Sequence, residues 1–146
     1  MNIRRATPLD ISAILALLGE MHQNTEVPTS PINSERLVNK VSEAIHRGIV
    51  FVAMDDENLI RGSIGGIAGS DWWSDQRHLG DLWFYVTPAS RKSDAAYKLI
   101  KSFITAGKEA KIPVRLGHIF SGDLERKDKF FARLGMTKAG SVFVEA

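Results

Sequence analysis

"VTPASRKSDAAYKLI", Val86 to Ile100, carries the chain from the end of an apolar strand into the start of an amphipathic helix. Pro88 ends the strand, because proline has no N–H to give a ladder. Arg91 and Lys92 make a short basic turn, and Ala96, Leu99, Ile100 and Phe103 then recur at helical spacing as far as Gly107. A junction of this kind offers an anion unpaired N–H groups and the positive end of a helix dipole. The stretch holds no glycine, however. Ser93 and Asp94 also suit a helix that is only capped, with Ser93 accepting an N–H and Asp94 answering the dipole. The stretch alone leaves both readings open.

The elements on either side set the expected fold. Upstream, "NIRRAT" alternates as a strand, and "TPLDISAILALLGEMHQ" reads as a helix with Thr7 as cap, Pro8 at its first position and Asp10 in its first turn. The loop "NTEVPTSPIN" leads to a second amphipathic helix, closed by Gly48. "IVFVAM" and "LIRGSIGGIAG" form a hairpin about "DDEN", with Gly62, Gly65 and Gly66 predicting a bulge or a close approach by another backbone or ligand. The loop "SDWWSDQRH" and the strand "LGDLWFYV" lead into the opening stretch. Downstream come the strand "IPVRLGHIF", a short helix through "LERKDKFFARLG" and a closing strand or hairpin over "MTKAGSVFVEA". The order β-α-α-β-β-β-α-β-α-β predicts an α/β (mixed α+β) domain over residues 1–146. Its sheet should be twisted, mixed and mostly antiparallel, with helices on both faces.

Composition narrows the function classes. A chain of 146 residues with 44% hydrophobic and 25% charged content is long enough to bury a core and is not disordered. No apolar run approaches the ~20 residues of a membrane span, and "MNIRRATPLD" lacks the apolar core of a signal peptide, so the expected compartment is the cytoplasm. The absence of cysteine excludes disulfides, thiolate metal sites and a cysteine nucleophile. His22, His46 and His118 share no metal-ligand spacing, so no metal is expected. A net charge of +2 argues against nucleic acid. From Tyr85 to Leu116, however, Arg91, Lys92, Lys98, Lys101, Lys108, Lys111 and Arg115 face only Asp94 and Glu109. That excess suits either a polyanionic ligand or a solvated helix face.

Three stretches, in order along essentially the whole chain, resemble the GNAT superfamily of acyl-CoA-dependent N-acyltransferases. "FYVTPASRKSDAAYKLI" is similar to the family's strand, Val-x-Pro-x-x-Arg and turn into a leucine-bearing helix. "KFFARLGM" resembles its late helix, and "IRRATPLDISAILALL" its opening strand, turn and helix. The resemblance implies acetyl-CoA or another acyl-CoA as co-substrate. Val86 would meet the pantetheine through its backbone, and Arg91, Lys92, Ser93, Asp94, Ala95 and Ala96 would form the pyrophosphate turn. Two residues depart from the family pattern. Asp94 stands at a usual glycine, where a carboxylate facing phosphate at ~4 Å would cost about 4 kcal/mol. Phe131 replaces a tyrosine that protonates the leaving thiolate; a thiol of pKa near ~8.5 can leave without that help.

For the base that neutralises the acceptor amine, the resemblance points to Asp81, displaced by one from a common position, with His78 as the alternative by its pKa. In a regular strand the displacement turns Asp81 to the opposite face, and a bulge near Gly80 would restore it. Trp72 and Trp73 are candidates for the wall of the acceptor site, with "NTEVPTSP" opposite; a tryptophan pair equally suits a lid over the core or a homodimer contact. The leading expectation is an N-acyltransferase that moves an acetyl or short acyl group to a primary amine, on a small molecule or a protein, by direct attack in a ternary complex. The alternatives are an inactive CoA-binding relative, and an interaction module that uses the basic helix face and the tryptophan loop.

Overall fold

The computed structural model describes residues 1–25, 30–117, 123–143 and 145. Strand β1 spans Asn2–Arg5, followed by a short 3-10 turn and helix α1, Ile11–Gln23. Helix α2 covers Ser34–Arg47, β2 Ile49–Met54, β3 Ile60–Ser70 and β4 Arg77–Val86. Helix α3 covers Ala95–Glu109, β5 only Val114–Arg115, and α4 Leu124–Arg133. The five strands lie in the order β1-β2-β3-β4-β5. The first three pairings are antiparallel, and β4 runs parallel to β5. The mixed sheet with helices on both faces is the architecture the sequence predicts. Among the described residues no helix is long and apolar enough to cross a membrane.

Two cores flank the sheet. On one face Ile14 and Leu18 of α1 and Val41 and Ala44 of α2 pack on Val50, Val52 and Trp83. On the other, Ala95, Leu99, Ile100 and Phe103 of α3 bury against Ala53, Ile64, Leu79 and Val86, with Phe130 and Phe131 of α4 and Leu134 just after it alongside. The helical spacing in α3 places Leu99, Ile100 and Phe103 on one side as expected, with Ala95 fully buried beside them and Ala96 only half-buried. Asn33 caps α2 by accepting the Arg36 N–H at 2.9 Å, and the Asp123 carboxylate caps α4 at the Arg126 N–H.

The closing strand expected over residues 136–146 is not seen in its described part. Residues 136–143 and 145 carry no strand; Val144 and Ala146 lie outside the described residues. A strand needs an edge to pair with, and β5 is two residues long. Phe143 is accordingly 93% exposed.

The entry to α1 is pinned by one buried carboxylate. Asp10, 6% exposed, accepts the Thr7 N–H at 2.8 Å and two Arg4 N–H bonds at 2.7 and 2.9 Å. The Arg4 guanidinium, first, and the Thr7 N–H hold its carboxyl below the ordinary aspartate value. A depressed folded pKa contributes stability above the unfolded value, and that stability is lost as pH falls through the folded value. Asp10→Asn should cost about 1–3 kcal/mol at pH 7, as expected for charge-assisted bonds. Chemical denaturation should show the gap closing below pH ~4, near the unfolded aspartate pKa. A gap that is constant with pH would contradict the assignment.

Candidate functional site

The sheet opens between β4 and β5. Only Leu79↔Val114 and Gly80↔Arg115 are paired, yet β4 continues to Val86. The five residues from Leu82 to Val86 make about 17 Å of strand with no ladder partner on that side among the described residues.

The register of β4 shows what it presents to this opening. Gly65 pairs with Trp83 and Gly66 with Asp81, so Leu82 is an extra residue, a bulge in β4. Its effect on side-chain direction is visible in the cores. Leu79 and Val86 are seven positions apart and should face opposite sides, yet both pack under α3. Trp83 faces α1 and α2 instead. The expected bulge exists, but at Leu82 and not at Gly80. Past it, the Thr87 N–H donates to the Arg61 carbonyl at 2.9 Å. Antiparallel pairs alternate, so Tyr85 and Trp83 share that inward direction, and the N–H and C=O groups of Phe84 and Val86 face the opening. The Val86 carbonyl accepts from Arg91 Nε at 3.1 Å.

The glycines of β3 serve this bulge. A side chain on Gly65 would collide with the Trp83 indole, and one on Gly66 with the Gly80 carbonyl and Phe103. The indole N–H donates to Ser63 Oγ at 3.0 Å, and that hydroxyl donates to the Phe51 carbonyl at 2.9 Å. Both readings that the glycines left open are met: Arg61 is an extra residue in β3 beside Gly62, and the close approach at Gly65 and Gly66 is by the protein itself.

Beyond Val86 the chain forms a 3-10 turn over Pro88–Ser90 and enters α3. Ser93 Oγ accepts the Ala95 N–H at 3.2 Å. The N–H groups of Lys92, Asp94, Ala96 and Tyr97 have no acceptor among the described residues. Arg91, Lys92, Ser93 and Asp94 are exposed, whereas Ala95 is buried and Ala96 half-buried. The Asp94 carboxylate binds the Met1 amino group at 3.0 Å and Lys98 at 2.9 Å. Lys98, then the Met1 amino group, hold its carboxyl below the ordinary value. Its charge is thus matched by two cations. From the far side, burial and then the Arg91 charge push the half-buried Lys127 of α4 below the ordinary lysine value. An extended chain bearing amides fits the Phe84–Val86 edge, and an anionic group fits the turn with Arg91, Lys92 and Lys127 around it.

Asp81 stands one residue past the last β4–β5 pair. Its Oδ1 accepts the Gly117 N–H at 2.9 Å, so it holds the two strands' continuations together where the ladder ends. His78 pairs in register with Gly69, and its buried Nδ1 has no hydrogen-bond partner among the described residues. Phe130 and Phe131 stack edge to face, with centroids 5.8 Å apart, against the α3 core.

The tryptophan loop lies elsewhere. It joins β3 to β4 at the end of β4 opposite Val86, and Arg115 anchors it through a two-bond contact with Asp71 at 2.9 and 3.0 Å. Trp72 and Trp73 are 92% and 67% exposed. They are not brought together with the turn. Of "NTEVPTSP", residues 26–29 lie outside the described residues, as does His118.

One cluster was not singled out in the sequence. Tyr85 projects from β4 onto the α1 face, and its hydroxyl donates to Glu20 Oε1 at 3.0 Å and accepts from Asn24 Nδ2 at 3.4 Å. Burial, foremost, pushes the phenol up, with the Glu20 carboxylate adding to it. The Arg91 guanidinium sits over the ring, 5.5 Å from its centroid.

No family sequence model and no curated protein sequence matches the chain. Solved structures do. A Trypanosoma brucei acetyltransferase superposes with a TM-score of 0.72 at 19% identity, over 99% of this chain and 98% of the other. A predicted acetyltransferase of Clostridium acetobutylicum, solved with acetyl-CoA, gives 0.74 at 16% identity, over 99% and 95%. AAC(6')-Iy, in complex with the bisubstrate analogue CoA-S-monomethyl-acetylneamine, gives 0.75 at 16% identity, over 99% and 96%. The chain therefore has the GNAT acetyltransferase fold.

The bulge generates a stability test. Gly65→Ala should push the Trp83 indole off Ser63 and cost about 1–3 kcal/mol, the usual cost of overpacking. Urea denaturation measures it, and unchanged stability would contradict the close approach.

Proposed function

We propose that this protein is an N-acyltransferase that moves an acetyl or short acyl group from acyl-CoA to a primary amine. The observation that carries the reading is the end of the β4–β5 ladder after Gly80, where, among the described residues, the Phe84 backbone groups and the Val86 N–H have no ladder partner and lead to a helix N-terminus beside Arg91 and Lys92. The shared fold supports it, including neighbours solved with acetyl-CoA and with a CoA bisubstrate analogue.

In this reading the pantetheine adds along β4 as a short strand would. Its amides pair with Phe84 and Val86, and the pyrophosphate lies on the N–H groups of Lys92, Asp94, Ala96 and Tyr97. Arg91 and Lys92 supply charge, with Ser93, Ala95 and Ala96 small enough for close approach. Asp94 does not repel the phosphates, because its carboxylate is turned to Met1 and Lys98. The neutral acceptor amine attacks the thioester carbonyl, and the oxyanion is stabilised by a β4 N–H near Val86. The C–N bond forms, the C–S bond breaks and CoA leaves as thiolate, since Phe131 has no proton to give. Asp81, at the vertex of the opening, takes the proton from the amine, directly or through water.

Calorimetry with acetyl-CoA, followed by thiol release across an amine panel, tests the reading. Saturable binding and amine-dependent release are expected; absence of binding at millimolar acetyl-CoA would overturn it. Asp94→Asn should change the affinity by less than about threefold, because the charge it removes is already matched. Tightening of tenfold or more would mean that the carboxylate faces the phosphates. Asp81→Asn retains an oxygen for the Gly117 N–H, so turnover should fall by about 10²-fold or more while acetyl-CoA affinity holds. Full turnover would remove Asp81 as the base, and His78 would be tested next.

A further inference from the structure

The Glu20 carboxylate is in an unfavourable place for a structural role. It lies in the last turn of α1, at the negative end of the helix dipole, where a cation and not an anion is stabilised. It is half-buried, and among the described residues no cation lies within ion-pairing distance of it. Its one hydrogen bond comes from the Tyr85 hydroxyl, which is itself steadied by Asn24. The guanidinium that reaches Tyr85, that of Arg91, is engaged over its ring and at the Val86 carbonyl. A carboxylate is thus held and oriented with no counter-ion beside it among the described residues. It lies on the α1 face of the same β4 segment whose backbone edge faces the opening.

We propose that Glu20 is a specificity-determining residue that binds a second cationic group on the acceptor, with Tyr85 as its positioning residue. This rests on the acyl-transfer reading. The substrate class it names is the diamine or polyamine, in which one nitrogen attacks while another, protonated, pairs with Glu20. Burial of the pair and the α1 carbonyls strengthen that attraction relative to a fully solvated one. Tyr85 occupies one carboxylate oxygen and leaves the other to the substrate. The Arg91 contact connects this subsite to the turn.

The test compares 1,4-diaminobutane and 1,8-diaminooctane with butylamine and octylamine as acceptors from acetyl-CoA. The wild-type protein should favour at least one diamine over its matched monoamine by about tenfold or more in kcat/KM, a factor of ten per unpaired charge being ordinary. In Glu20→Gln that ratio should collapse toward one, through a rise in KM larger than any fall in kcat. Glu20→Asp, which keeps the charge, should retain part of it, and Tyr85→Phe should lower it. Equal use of diamines and monoamines by the wild type, or an intact preference in Glu20→Gln, would overturn this proposal and leave the acyltransferase standing. If acetyl-CoA binds but no acyl group moves, calorimetric titration of the diamines decides. Binding lost in Glu20→Gln would keep the subsite and refute the transfer reading, and no diamine binding would refute both.

Discussion

The extra residue at Leu82 is the constraint on which both faces of the candidate site depend. A strand alternates its side chains, so without an insertion Leu79, Asp81, Trp83 and Tyr85 would all point toward α3. The bulge reverses the alternation after Asp81. Val86 turns under α3, and Trp83 and Tyr85 turn toward α1 and α2. It also falls immediately past the last β4–β5 pair, where main-chain bonding to β5 ends. Backbone groups are costly to leave unpaired away from water, so a strand with no ladder partner among the described residues from Leu82 to Val86 presents an edge suited to another extended chain. Gly65 and the Trp83–Ser63–Phe51 chain of hydrogen bonds hold this arrangement in place.

The turn after β4 answers a question of charge. A carboxylate at a phosphate-binding turn is adverse if it faces the ligand, and harmless if other cations already match it. Asp94 is in the second situation, bound to a lysine one helical turn away and to the amino group of β1's neighbour Met1. The lack of glycine is met in the same way, by residues small enough not to cover the N–H groups. Arg91 and Lys92 stand exposed in that turn, and the Arg91 charge reaches Lys127 of α4.

Much of the fold was legible because periodicity is local. The alternation in β1, the helical spacing in α1, α2 and α3 and the punctuation at Pro88 and Gly48 each fall within one element. What could not be read depends on partners distant in sequence. Gly65 announced a close approach, but Trp83, 18 positions later, decides that the visitor is a side chain. Leu82 looks like any apolar strand residue; only its register against Gly65 and Gly66 reveals the bulge. The direction of Asp94 is set by Met1, and Tyr85 acquires its meaning from Glu20. Val142 and Phe143 are strand-forming residues, but propensity without an edge to pair with does not make a strand.

Backbone amide hydrogen exchange, resolved to single residues in the presence and absence of saturating acetyl-CoA, tests the central claim most directly. The account predicts new protection at Phe84, Val86 and the Asp94–Tyr97 amides, with β1 and β2 unchanged. Acetyl-CoA that binds while those amides exchange as before, or that protects a different surface, would contradict the assignment of the β4–β5 opening as its site.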